Sequence, residues 1–129
     1  MQVLRTQHVS VPRPPGRDAE SQAVDFYAGI LGLRELPKPP TFANLDVTWF
    51  AVGDTELHVF ASDRGPHPGS HFCLQVEDLR STRRHLESAG VACHETDPIP
   101  HRPRFMIHDP FGNAIEITQI AGDYRSVPA

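Results

Sequence analysis

Four side chains able to ligate a metal stand one at a time inside apolar, strand-like stretches: His8 in QHVSV, His58 in TELHVFASD, His71 in SHFCLQV and Glu116 in NAIEITQI. A half-buried strand alternates apolar and polar positions, so neighbouring side chains take opposite faces. Around His71, the residues Phe72, Leu74 and Val76 share one face, while His71, Cys73 and Gln75 share the other. Around Glu116, Ile115 and Ile117 oppose Ala114, Glu116 and Thr118, and His8 shares its face with Leu4, Thr6 and Ser10, opposite Val9 and Val11. The apolar faces are expected to pack on helices. His8, His58, His71 and Glu116 are then left on the face that the curved sheets enclose. Two readings are open from periodicity alone: a divalent metal held by these four, or four separately satisfied polar residues on a half-wet sheet face.

The elements that must position them occur twice. The first half reads as a strand through VLRTQHVSV, a break at PRPPGR, and a helix AESQAVDFYAGIL with Asp18 as its N-cap and Gly32 as its stop. A strand LRELPK follows. ANLDVTWFAVGDTELHVF then alternates on both sides of Gly53-Asp54, as two strands joined by a tight turn would. From Ser70 the order returns: strand SHFCLQV, Asp78 capping LRSTRRHLESA, Gly90 ending it, strand VACHE, and two strands around DPFGN in RFMIHDPFGNAIEITQI. PIPHRP is a rigid loop. Aligning the halves sets His8 against His71 and His58 against Glu116, so equivalent strands supply equivalent residues. Two copies indicate a duplicated supersecondary unit rather than a solenoid, which needs three or more. The expected organisation is one α+β domain over residues 1–129, with module one at about 3–61, module two at about 70–120 and a tail at 121–129, and two sheets of four strands.

Composition sets the outer limits. A chain of 129 residues can bury roughly two-thirds of its unfolded surface and needs no staples. Net charge is −4 with scattered arginines, so no basic stripe points to nucleic acid. No apolar run reaches the eighteen or so residues of a membrane helix, and MQVLRTQHVS lacks a signal-peptide core, so a cytoplasmic location is expected. Cys73 and Cys93 fit neither a CxxC site nor a disulfide framework and read as two reduced thiols. His85 is expected to be solvated on its helix, His67 and His101 to sit in proline loops, and His94 at a strand end. His108, with Arg104 and Met106, can face a pocket. Phe42, Trp49, Phe50 and Phe60 can line an apolar cavity, with at least two of them expected in the core.

The pattern HVS, DFYAGILGL, ELHVF, HFCLQVEDL, LESAGV, RFMIHDPFGNAIEI resembles the vicinal oxygen chelate superfamily, the fold of glyoxalases, fosfomycin-resistance and bleomycin-resistance proteins and extradiol dioxygenases. The resemblance runs from about Val3 to Ile120. FYxxxLGL and DPxGNxIEI are specific for the superfamily and weak for any one activity. The resemblance implies two βαβββ modules forming an open, cup-shaped, eight-stranded barrel around one divalent metal, a small-molecule partner, and a homodimer. Carried over by position, His8 and His71 fall on the first-strand ligands, Glu116 on the last-strand carboxylate, and His58 on the remaining last-strand position. His58 departs from the glutamate usual in glyoxalase-like members. With His58 coordinated, the set is three nitrogens and one oxygen, suited to Zn, Ni, Co or Fe rather than Mg or Ca, with Mn also in range. With His58 free, His8, His71 and Glu116 form a 2-His-1-carboxylate set, and His58 can serve as general base. Glu56, two residues earlier on the same face, is a substitute ligand.

Three classes of function follow from the resemblance. The first is a glyoxalase-type lyase, isomerase or epimerase acting on a small substrate with adjacent oxygens, with Glu116 or His58 taking the proton. The second is ring-cleaving oxygen chemistry of the extradiol type, which usually has two module pairs where this chain has one. The third is a metal-free, bleomycin-resistance-type binding protein. No cationic cluster placed for a phosphonate is evident in the sequence.

Overall fold

The alternation on each side of the Gly53-Asp54 turn matures into a hairpin, β3 (Val47–Val52) and β4 (Thr55–Ala61), with Gly53 at φ 55°. The computed structural model describes residues 1–126; the last three residues of the expected tail lie outside the described residues. β1 (His8–Arg13) lies parallel to β4, and β2 (Arg34–Leu36) pairs antiparallel with β3, giving the order β1-β4-β3-β2. The strand expected from Val3 begins only at His8. Its partner β4 starts at Thr55, and residues before Gln7 pair with no strand among the described residues. Arg5 instead bonds the Asp54 carboxylate at 2.6 Å.

Between β1 and β2 runs α1 (Arg17–Val24), continued directly by a π-helical stretch, Asp25–Ile30, that buries Phe26 and Tyr27. Asp18 does not cap it. The helix starts two residues earlier, at Arg17 behind Gly16 at φ 104°, and Gly16 N–H donates to Asp46 at 2.9 Å. Gly32, at φ 77°, ends it as expected. Ala19, Ala23, Phe26 and Tyr27 close over Val11, Phe50, Leu57 and Val59, the apolar face of the sheet. His58 lies on the other face, as the alternation requires.

The second half repeats this order with one strand fewer. β5 (His71–Gln75) leads into α2 (Leu79–Ser88), capped by Asp78, whose Oδ1 accepts from Arg80 N–H at 3.0 Å. β6 (Arg104–His108) and β7 (Ala114–Thr118) pair antiparallel, and β5 joins β7 in parallel, giving β5-β7-β6. The expected strand VACHE is reduced to a single bridge, His94 with Met106. Pro98, Pro100 and Pro103 follow at once, and prolines cannot donate to a ladder. The sheets therefore have four and three strands rather than four each. Phe105, Ile107, Ile115 and Ile117 form the apolar face of the second sheet, and Leu86 is the buried residue of α2.

The chain divides into two compact units, residues 1–67 with 110–112, and residues 68–109 with 113–126 of the described chain. No helix among the described residues is long and apolar enough to cross a membrane. Both cysteines are free thiols.

One buried charge ties the first unit together. The Arg13 side chain is fully buried, donates to Asp46 Oδ1 at 2.5 Å and to the Pro14 carbonyl at 3.0 Å, and its Nε–H finds no acceptor among the described residues. The Arg13 hydrogen bond, helped by Gly16 N–H, holds the Asp46 carboxyl below its usual range. A group with a lowered folded pKa contributes stability above its unfolded pKa and loses it as pH falls through the folded value. Asp46→Ala is therefore expected to lower unfolding stability by about 2 kcal/mol at pH 7, the cost of leaving a buried guanidinium short of its anion. The loss, read from urea midpoints, should shrink below pH 4; an equal loss at pH 7 and pH 3 would refute the ion pair as its cause.

Candidate functional site

On β1 and β4, pairing register decides who meets whom. His8 lies opposite Glu56, and Ser10 opposite His58, so His8 and His58 are diagonal neighbours on one face. Their rings stack at 4.2 Å between centroids and 17° between planes. On its other side His58 stacks on Trp49, its antiparallel partner on β3, at 4.3 Å and 8°, and Phe42 meets Trp49 edge-on at 5.3 Å. The His58 ring is thus held between two others. Its Nε2 is 2.9 Å from Glu56 Oε1. Two rings stacked this nearly parallel project their in-plane lone pairs side by side rather than toward one point. His8 Nδ1 meets Gln7 Oε1 at 2.7 Å, which leaves its Nε2 as the ring nitrogen with a free lone pair.

Beside this row lies a cavity of about 470 Å³ lined by Phe42, Trp49, His58 and Phe60 together with Leu45 and Ser10. Of the four aromatics weighed for such a cavity, only Phe50 is core; at least two were expected there. Trp49 Nε1–H is buried without an acceptor among the described residues.

The second unit repeats the diagonal. His71 lies opposite Ala114, and Cys73 opposite Glu116, so His71 and Glu116 are diagonal neighbours on β5 and β7. His71 Nδ1 faces the Gly69 carbonyl at 3.3 Å and its Nε2 faces Glu116 Oε2 at 3.6 Å. The Asp109-Asn113 loop fixes the register that delivers Glu116. Asn113 N–H donates to Asp109 Oδ1 at 2.8 Å, and the Asn113 amide to Oδ2 at 2.7 Å. Glu116 is buried, and its two oxygens have different company. Oε1 accepts from Arg102 Nη2 at 2.6 Å and Arg104 Nη1 at 3.1 Å; Oε2 faces only His71 among these groups. Burial alone would raise the Glu116 carboxyl, but the Arg104 and Arg102 guanidiniums outweigh it and hold it below its usual range. Partial desolvation, with the Glu116 charge adding to it, pushes the thiol of the exposed Cys73 up to about 11, so it stays protonated at neutral pH.

A divalent ion is the group the motifs imply, and its fit is tested by these donors. Among the described residues no group of three or more His, Cys, Asp or Glu side chains stands as a ready cage. The pair in the second unit nevertheless has ligand geometry: a tetrahedral ion with bonds near 2.1 Å separates two ligand atoms by roughly 3.4 Å, close to the 3.6 Å between His71 Nε2 and Glu116 Oε2. Each donor is also held from behind, His71 through Nδ1 and Glu116 through Oε1, as metal ligands commonly are. The two guanidiniums oppose a cation by charge, so they would weaken the affinity of this pair. On donor type and spacing, the residues fit.

Arg102 was not singled out from the sequence. The signal was present in HRPRF, where Arg104 shares alternation with Met106 and His108, and register with β7 carries that face to Glu116. His94 also gains a role it was not assigned, its ring lying 5.7 Å from His108.

The Glyoxalase/Bleomycin resistance protein/Dioxygenase superfamily description matches residues 17–117. A solved protein from Bacillus anthracis assigned to the glyoxalase family is 28% identical with a TM-score of 0.87, over 93% of this chain and 98% of that one. TnmS3, an antibiotic binding protein from Streptomyces sp. CB03234, is 26% identical with a TM-score of 0.72, over 93% and 98%. Lactoylglutathione lyase from Agrobacterium tumefaciens shares the fold at a TM-score of 0.67 and 20% identity, over 89% and 92%. No curated protein matches the chain. With the family description matching residues 17–117, well over half of the chain, the chain belongs to the glyoxalase/bleomycin resistance protein/dioxygenase superfamily.

Proposed function

We propose that the protein is a metal-dependent enzyme of the glyoxalase type, a lyase, isomerase or epimerase acting on a small substrate with adjacent oxygens. The observation that supports it is the His71 and Glu116 pair, two donors 3.6 Å apart whose remaining atoms are held by Gly69 and by two arginines. His8, with its Nδ1 occupied and its Nε2 free, is the further ligand this reading takes from the family resemblance. The ion, one of Zn, Ni, Co, Fe or Mn, would supply Lewis acidity to the substrate oxygens. Proton transfer falls to His58 rather than Glu116. A carboxylate held ionised by two guanidiniums is a weakened base, whereas the Glu56 carboxylate orients His58 through Nε2 and leaves Nδ1 to accept and return a proton. Stacking between His8 and Trp49 holds that ring in one orientation.

In this reading the enzyme works as a cytoplasmic homodimer. β1 and β2 edge one sheet, β5 and β6 the other, and exposed edges are normally covered or paired. Light scattering at micromolar concentration should give twice the chain mass; a monomer would remove the idea.

Protein purified without a metal-affinity tag should carry stoichiometric metal that His71→Ala and Glu116→Ala lose, with affinity falling as pH drops below about 6 because imidazole ligates only when deprotonated. Metal retained in both variants would sink the site. His58→Gln should keep the metal and lower turnover by roughly 10²- to 10⁴-fold. Loss of metal in that variant would make His58 a ligand instead. Hemithioacetals, 2-oxo acid epimers and catechols, each with and without oxygen, are the substrate panel; oxygen uptake with a catechol would replace this chemistry with the extradiol type.

A second reading, sequestration of an antibiotic by metal-free protein, is favoured by the Phe42, Trp49 and Phe60 cavity together with the likeness to TnmS3. Trp49 is the sole tryptophan, so a planar aromatic antibiotic stacking in that cavity should quench the protein's fluorescence. Submicromolar quenching by EDTA-treated protein, without turnover on the panel, would put this reading first.

A further inference from the structure

The arginine pair carries more charge than its partner uses. Arg102 and Arg104 both direct a guanidinium nitrogen at one oxygen of Glu116, and one carboxylate balances only one of the two cations. The surplus is matched by a missing bond: Arg102 Nε–H is buried with no acceptor among the described residues. An unmet donor on a charged group is costly and rare in a folded protein. Both side chains remain partly open, 20% and 17% exposed, so a ligand oxygen can reach them.

The pair is also held ready. Arg104 donates from Nε and Nη2 to the Asp97 carbonyl at 3.2 and 2.8 Å, which fixes the plane of its guanidinium. Arg102 lies over the Tyr124 ring, 5.2 Å from its centroid. The segment bearing Tyr124 is seated on the proline loop: Ala121 N–H donates to the His101 carbonyl at 2.8 Å, and Gly122 lies so close to His101 that an added Cβ would stand 3.0 Å from its Nδ1. Planar guanidiniums fixed before binding are suited to the oxygens of a carboxylate or phosphate.

We propose that Arg102 and Arg104 recognise a small oxyanion on the substrate, a carboxylate or phosphate group. The inference rests on the reading that the Glu116 face of the second sheet receives the substrate, and it does not require the metal. It narrows the substrate from any molecule with adjacent oxygens to an acidic one, and makes Arg102 and Arg104 residues of specificity.

The test is calorimetric titration of full-length, EDTA-treated protein with sodium phosphate, sodium pyruvate and, as the uncharged control, methyl pyruvate, at constant ionic strength. At least one of the two anions should bind while methyl pyruvate does not, and whichever anion binds more tightly identifies the source of the oxyanion. Arg102→Gln and Arg104→Gln should each weaken that binding roughly tenfold or more, with Arg102→Lys retaining part of it. Should the variants fail to fold by circular dichroism, the unmodified chain answers instead: the anion that binds should protect Arg102 from phenylglyoxal, as read by peptide mapping. Binding of neither anion, equal binding by folded Gln variants, or no protection of Arg102 would overturn the proposal. Metal analysis of untreated protein separates the two ideas, since anion binding without metal leaves this inference standing and removes the metal reading, and the converse removes only this inference.

Discussion

Everything placed on the polar faces depends on the parallel pairing of the first and last strand within each unit, β1 with β4 and β5 with β7. Parallel strands cannot be joined by a tight turn, so each pair requires a crossover, and the helix with its following strands supplies it. The pairing brings residues far apart in sequence to one diagonal: His8 beside His58 through the Ser10 partnership, and His71 beside Glu116 through the Cys73 partnership. The diagonal is the same in both units. A slip of one residue would send these side chains into the apolar layer, where Leu57, Val59, Ile115 and Ile117 are fully or almost fully buried.

Much of this was legible because alternation reports which face a side chain takes. The opposite faces of His58 and Leu57, the Asp78 cap, the Gly32 stop and the Gly53 turn all follow from local chemistry, and local chemistry is what a sequence states directly. The failures share a different cause. β1 starts at His8 rather than Val3 because a strand lasts only as long as its partner, and the end of β4 is not written in VLRTQ. VACHE alternates adequately yet gives one bridge, since the prolines after it cut the pairing short. Asp18 looked like a cap, but the Asp46 carboxylate across the sheet already serves the Gly16 N–H at the helix start. The Arg102 contact is tertiary as well: alternation in HRPRF sets Arg104 on the Met106 face, but only the pairing of β6 with β7 brings Glu116 to 2.6 Å from Arg102.

The division of labour between the oxygens of Glu116 shows why charge alone does not define a site. Two cations on Oε1 keep the carboxylate ionised despite its burial, which a lone buried carboxyl could not sustain. The same cations lessen the attraction that Oε2 exerts on a metal. Ionisation and affinity therefore pull in opposite directions here, and the balance depends on how much of the guanidinium charge another anion takes up. An oxyanion on the substrate would relieve that conflict by taking up the surplus.

His58 illustrates the complementary point, that geometry can separate roles which residue type leaves equivalent. By type, a histidine on this face is as good a ligand as His8 or His71. By environment it differs from both, because its two faces are covered by His8 and Trp49 and its Nε2 is turned to Glu56. His8 and His71 have their Nδ1 atoms engaged by Gln7 and Gly69, and the Nε2 of His71 is turned to Glu116 Oε2. A carboxylate behind an imidazole fixes the ring's orientation and which of its nitrogens is left exposed. A ring clamped between two others has little freedom to turn toward an ion. His58 thus differs from its fellow candidates through its neighbours rather than through its residue type.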